Sequence, residues 1–369
     1  MRKLKIYLSI SVLAWFAFSC MDDENWSNRN KLNIDVSSLN TDELVFISNE
    51  GNFMYGNASL SVYNKETHEL INNIFYKQNG VPLGDVAQSM QIRNGLLYVV
   101  VNNSGKIYVL NMGKYPHLPA YEYVGKITGL TSPRYIHFLS DTKAYVTDLY
   151  AKAITIFNPL TFQIIGRIDV NNHSPKFYQH PTEQMVQYGK FVFTNCWSYD
   201  NQILVINSET DQVVDSITVG LQPTSLVMDK NNKIWTVTDG GYEGSPYGHE
   251  PSSLWRIDAK TRQVEQSFYF EMGSWASEVK LNGSKDTLFY INEGIWRMPV
   301  TSVKLSEKPF IPKEEKLFYG INIDPTNSEV YAIDAIDYVQ PGVVYRFSSE
   351  GIPQDTMCVG IIPGEAVFY

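Results

Sequence analysis

A five-residue pattern returns seven times along the 369-residue chain, as LSVYN at Leu60–Asn64, IYVLN at Ile107–Asn111, ITIFN at Ile154–Asn158, ILVIN at Ile203–Asn207, LWRID at Leu254–Asp258, IWRMP at Ile295–Pro299 and VYRFS at Val344–Ser348. Successive copies lie 47, 47, 49, 51, 41 and 49 residues apart. A second strand-like run precedes each copy, and all seven of these runs end in Asn or Asp, at Asn49, Asn102, Asp148, Asn195, Asp239, Asn292 and Asp334. Both runs are rich in β-branched and aromatic residues, and short Asn and Asp side chains bond backbone groups just past a strand end. Self-similarity at this period marks a series of supersecondary units that bury their faces against one another. Each period holds four short β-rich runs and almost no helical periodicity. The expected fold is therefore all-β: a seven-bladed β-propeller with four antiparallel strands per blade. One blade is expected to be completed by both chain ends, with Glu365–Tyr369 as a lone innermost strand beside Leu44–Asn49, Leu60–Asn64 and Leu70–Tyr76. Such closure removes the open ends that a linear array of blades would leave exposed.

The propeller is expected over residues 42–369. Before it, Arg2, Lys3 and Lys5 precede an apolar run from Ile6 to Phe18, a layout that fits a signal peptide over residues 1–19 and is too short for a membrane span. Ala17-Phe18-Ser19-Cys20 resembles a bacterial lipobox, which makes Cys20 the expected site of lipidation and residues 20–41 a surface linker. The acidic run Met21–Glu24 resembles the surface-export signal of Bacteroidetes lipoproteins, so the expected location is the outer membrane, facing the exterior. Removing the leader takes the net charge from −9 to −12. Such a distributed negative charge argues against nucleic acid and anionic lipid as partners. Cys196 and Cys358 fall in well-separated blades and are expected to be unpaired.

Successive strands of a blade run in alternate directions, so the loops after every second strand and between blades open on one face. On that face the sequence places Phe53, Tyr55, Tyr150, Phe177, Tyr178, Trp197, Tyr199, Tyr242, Tyr247, Trp275, Phe318, Tyr319 and Tyr338; the opposite face carries Tyr115, Phe162 and Tyr188. Loop aromatics with no strand to pack in are candidates for a binding surface. The loop Gly240–Pro251, with four Gly and two Pro, carries Tyr242, Tyr247 and His249. Polar groups expected at the channel mouth are Gln88, Arg134, Glu183, Ser277, Glu278 and Glu365. An aromatic rim around such groups suits a bulky organic ligand. The ligand-binding candidates are accordingly Tyr55, Arg134, Tyr150, Tyr178, Trp197, Tyr199, Tyr242, Tyr247, His249, Trp275, Tyr319 and Tyr338.

No phosphate loop, HExxH, Gly-x-Ser-x-Gly elbow or zinc-type cysteine spacing occurs in the chain. His173, His180 and His249 fall on the aromatic face, and Glu183, Glu278 and Asp334 are carboxylates open to acid–base work. Three histidines at a mouth could hold a metal, or one could approach a metal within a ligand, beside the plainer reading of solvated loop residues; no catalytic residue, resident metal or cofactor is expected.

The strand ending in Asn, the following Val/Ile-rich strand and its Asn-x-x-Thr turn together resemble the YncE-like family of seven-bladed propellers, over about residues 42–369. Gly220-Leu-Gln-Pro223 and Gly360-Ile-Ile-Pro363 match that family's Gly-x-x-Pro blade junction, and the other junctions depart from it. With the lipobox and the acidic Met21–Glu24, the chain is similar to the surface propeller lipoproteins of gut Bacteroidetes of the BtuG type. That resemblance implies a binder of cobalamin or related corrinoids that passes its ligand to a BtuB-type TonB-dependent transporter. Two readings of other classes stand beside it. One is a cell-envelope propeller that binds a protein or glycan on the same face; the other is a metal-dependent hydrolase or lyase.

Overall fold

The computed structural model describes residues 39, 41, 43–174 and 180–369. Cys20, Phe177 and Tyr178 lie outside the described residues. The described chain forms seven antiparallel sheets arranged as a ring. Blade 1 is closed by both chain ends: Pro363–Phe368 pairs with Leu44–Asn49 in the register Val45↔Phe368 to Ser48↔Glu365. The inner strands of blades 2 to 7 are Ala87–Arg93, Pro133–Phe138, Thr182–Tyr188, Pro223–Met228, Ala276–Leu281 and Phe318–Ile323. Each inner strand packs on the inner strand of the next blade, and Phe318–Ile323 packs on Pro363–Phe368 to complete the circle.

The core is divided as the repeat demands, because a strand sandwiched between two blades buries both of its faces. All six residues of Leu44–Asn49 are buried. Leu44 and Phe46 pack with Leu97, Val99 and Tyr108 of blade 2, whereas Val45 and Ile47 pack with Tyr331 and Ile333 of blade 7. Seven such apolar clusters fill the seven seams between blades.

The Asn and Asp residues that end the second strands tie the blades together. Asn102 Nδ2 donates to the carbonyl of Pro133, the first residue of the next blade's inner strand, at 3.0 Å. Asn195 repeats this bond to Pro223 at 2.7 Å. Asn49 accepts from the amide of Gly360 in blade 7 at 2.9 Å. The Asn-x-x-Thr segments form the polar turns expected of them: Asn64 Oδ1 accepts from the amides of Glu66 and Thr67, and Asp258 Oδ1 from those of Lys260 and Thr261.

Two elements differ from the sequence reading. The outer strand of blade 1 is only Leu70–Ile71, and Ile74–Asn79, expected to extend it, is a short α-helix. Asn73, at φ 57°, turns the chain there. Ile74 and Phe75 then enter the seam with blade 2, and Asn79 bonds the backbone of Phe75, Tyr121 and Tyr123. Blade 6 has three strands, the outermost being Gly294–Pro299. Its fourth place is filled by a single bridge, Ile295↔Ile311. Pro309 and Pro312 flank that bridge, and proline supplies no N–H to extend a ladder.

Candidate functional site

All seven inner strands carry a β-bulge near their first residue, on the face where the blade-to-blade loops emerge. Pairing skips Gln88, Arg134–Tyr135, Glu183–Gln184, Thr224, Glu278, Tyr319 and Gly364. A bulge leaves the extra residue out of the ladder and re-aims its side chain. Here all the released residues except Gln184, which faces the deeper channel, line one cavity of ≈ 220 Å³ at the channel mouth, joined by Glu50, Trp197, Asp239, Ser277, Lys280 and Glu365. A second cavity of ≈ 240 Å³ lies deeper in the channel, and Tyr135, Lys280 and Glu365 line both.

The mouth is dense in charge. Arg134 Nε lies 2.8 and 2.9 Å from the two Glu183 oxygens, and its Nη1 donates to Gln88 Oε1. Lys280 lies 3.2 Å from Glu278. Glu278 itself sits at φ 51°, a conformation that is strained for a residue other than glycine. Gly364, the bulge residue of blade 1, has no side chain; a Cβ built there would stand 2.8 Å from Glu50 Oε1, so Glu50 occupies the space. Glu50 accepts from the Tyr319 hydroxyl at 3.1 Å. Burial pushes its carboxyl up to about 7, against the pull of Arg134 and the Tyr319 bond. Burial likewise pushes Glu365 up to about 7, against Lys280 and the amide of Met90. Asp239 is also raised by burial, although it accepts from Gln222, Gly241 and the Trp197 indole.

Beside the mouth opens an apolar recess of ≈ 420 Å³, walled by Trp275, Tyr319, Tyr338, Leu317, Phe318 and Ile291. It shares Thr224, Asp239, Ser277 and Tyr319 with the mouth, so the two form one continuous concavity. Tyr319 and Tyr338 meet edge to face at 5.7 Å.

The sequence candidates divide among several places. Arg134, Trp197 and Tyr319 line the mouth; Trp275, Tyr319 and Tyr338 wall the recess. Tyr199 stacks on Tyr247 at 4.3 Å and its hydroxyl bonds that of Tyr242, which makes a separate aromatic cluster. Tyr55 and Tyr150 are 79% and 58% exposed and line neither cavity. His249 is exposed in the loop that bridges back to Gly241. The rings therefore do not form one rim. Phe318 and Tyr319, read from the sequence as loop residues, belong to the inner strand of blade 7, where Phe318 enters the core and the bulge turns Tyr319 into the mouth. Tyr115, Phe162 and Tyr188 on the opposite face pack against seam clusters.

All six polar groups expected at the mouth line it. Sequence reasoning missed Glu50, Tyr135, Thr224, Lys280 and the mouth position of Asp239. Asp334 instead holds a loop by accepting from the amides of Leu317 and Ile336. The three histidines do not converge. His180 bonds Asp200 at 2.6 Å, near the buried Cys196, and these three offer ligand atoms within 4.8 Å of one another. Cys196 and Cys358 are free thiols, as expected. Among the described residues no helix is long and apolar enough to cross a membrane.

The sequence matches the model of the family described as "Domain of unknown function (DUF5074)" over residues 44–352. A search of the curated proteins returns no match. Among solved structures, a quinonprotein alcohol dehydrogenase-like protein from Bacteroides thetaiotaomicron superposes with a TM-score of 0.66 at 11% identity, covering 87% of this chain and 77% of that one. A putative 6-phosphogluconolactonase from Bacteroides fragilis gives 0.62 at 12%, covering 89% and 99%. At such identities the likeness establishes the propeller fold alone.

Proposed function

We propose that this chain, which belongs to the DUF5074 family of domains of unknown function, is a ligand-capture propeller of the bacterial envelope whose ligand is cobalamin or a related corrinoid. The observation that carries this reading is the union of an aromatic recess with a polar mouth in one concavity. A corrinoid combines a broad, partly apolar ring with a fringe of amides. On this reading its ring lies against Trp275 and Tyr338, and amide groups at its edge reach the carboxylates and Lys280 below. The recess and mouth are much smaller than the whole ligand, so capture leaves most of it outside the propeller. That leaves the ligand accessible for transfer to a TonB-dependent transporter, with the chain held at the outer membrane through Cys20. The similarity to BtuG-type lipoproteins supports the same reading.

Titration of the mature protein with cyanocobalamin, followed by calorimetry and by co-migration on a sizing column, tests it. Saturable heat and a coloured protein peak are expected, and Trp275→Ala should weaken binding about tenfold or more, as loss of a central aromatic anchor does. Absence of heat and of co-migration ends the corrinoid reading.

One observation favours a second reading. Two carboxyl groups in one cavity, Glu50 and Glu365, are each raised to about 7, where a general acid or base works best. A hydrolase or lyase acting at the mouth would lose its activity in Glu50→Gln or Glu365→Gln.

A further inference from the structure

We infer that the channel mouth binds an organic ammonium group, with the three carboxylates of Glu50, Asp239 and Glu365 as its counter-charge and aromatic faces as its walls. This goes beyond corrinoid capture and is independent of it. The inference begins with the internal pairing of the mouth. Arg134 is consumed by Glu183 and Gln88, and Lys280 lies against Glu278. Arg134 and Lys280 also act at longer range on Glu50 and Glu365, but these two cations face five carboxylates in the cavity lining. Glu50, Asp239 and Glu365 remain with only neutral hydrogen-bond donors: the Tyr319 hydroxyl, the Trp197 indole with the Gln222 amide, and the Met90 backbone amide. Excess negative charge facing an enclosed cavity is costly unless a cation arrives or a proton binds.

The walls narrow the kind of cation. Tyr135, Trp197 and Tyr319 line the same cavity, where the Arg134 guanidinium already lies over the Trp197 ring at 5.8 Å; aromatic rings attract cations of this organic kind but give a hard metal ion no ligand. A second, independent observation is Gln88. It is 9% exposed and lines the cavity, its amide oxygen is used by Arg134, and its amide nitrogen, without a protein partner among the described residues, is open to the cavity rather than sealed in the core. A polar ligand beside the ammonium would complete it. The adjoining recess, walled by Trp275 and Tyr338, accommodates an apolar or aromatic body attached to the ammonium.

Binding should also release protons. Glu50 faces Arg134, Tyr319, Glu183 and Glu278, and Glu365 faces Lys280, Glu278 and the Met90 amide; burial holds both carboxyls partly protonated near neutrality. A cation favours their ionised forms, so affinity should rise as pH increases through about 7.

The probe is 2-phenylethylamine, compared by calorimetry with its uncharged counterpart 2-phenylethanol. The amine should bind wild-type protein about tenfold or more tightly than the alcohol, the ordinary worth of a charge-assisted hydrogen bond. Its binding heat should change with the ionisation enthalpy of the buffer. Glu50→Gln and Glu365→Gln together, which leave Asp239 as the third carboxylate, should cut the preference for the amine severalfold. Equal binding of amine and alcohol to the wild type overturns the inference without any variant, and so does an undiminished preference in the double variant. Cyanocobalamin titrated into the same preparations separates the two proposals. Protein that binds the corrinoid and ignores the amine overturns this one alone.

Discussion

Two buried carboxyls at the channel mouth should make the propeller less stable as the solution becomes more alkaline. Glu50 and Glu365 rise from the usual 4.5 to about 7 on folding, with burial as the largest cause in each. A raised carboxyl means that the folded state holds more protons than the unfolded one between those two values. Stability therefore falls as pH rises through that window, and the loss is complete above about 7. Each shift corresponds to roughly 3 kcal/mol. Glutamine mimics the protonated form and keeps an acceptor for the Tyr319 hydroxyl. Glu50→Gln should thus match wild type near pH ~3.5, below the ordinary carboxyl value, and exceed it by roughly 3 kcal/mol near pH ~8.5, with Glu365→Gln behaving alike. For a chain of this length that gain is a rise of roughly 5 °C in Tm. Scanning calorimetry of wild type and both variants across this range provides the measurement. Subtracting the curves cancels every other titrating group. Parallel curves would falsify the reasoning, because they would mean that both carboxyls ionise in a wet cavity at ordinary values.

Other expectations concern the ring itself. Asn195→Ala removes the bond to Pro223 and leaves a buried carbonyl without that donor, so urea denaturation should show a loss of about 1–3 kcal/mol. Trp235→Ala empties a fully buried site in the seam between blades 5 and 6 and leaves Asp229 Oδ2 without the indole donor it holds at 2.9 Å; a loss of about 3–5 kcal/mol is expected by the same method. A thiol reagent should modify the exposed Cys358 in native protein and reach the buried Cys196 only after unfolding. Two thiols reacting equally fast in native protein would contradict the seam packing of Cys196.

The number of blades, their order and the shared closing blade were legible in the sequence because one physical device recurs at a fixed period. A strand ends in Asn or Asp, and that side chain bonds backbone at a junction, as Asn102 and Asn195 do toward the next blade. The mouth was legible in part. Gln88, Arg134 and Glu183 could be placed by counting from strand starts, whereas Tyr319 was put on a loop because no residue announces a bulge; whether a position is skipped depends on the partner strand. Asp239 looked like one more strand-ending turn residue, and Glu50 like the first residue of a loop. Its role emerges only when Gly364, 314 positions away in the chain, is seen to leave room for it. The helix Ile74–Asn79 was hidden because a short apolar run such as Ile-Phe-Tyr has no period that separates helix from strand.

The seven bulges give this propeller an unusual freedom to change. A residue outside the ladder can be exchanged without altering which backbone groups pair, so its identity is free of the constraints that fix its neighbours. Gln, Arg, Glu, Thr, Glu, Tyr and Gly stand at corresponding places in otherwise equivalent modules. They behave like the tumblers of a lock, each contributed by a different module, although Arg134 is matched to Glu183 and Gly364 to Glu50, so these change in pairs. Members of one lineage could therefore diverge in the molecules they hold while the scaffold stays the same.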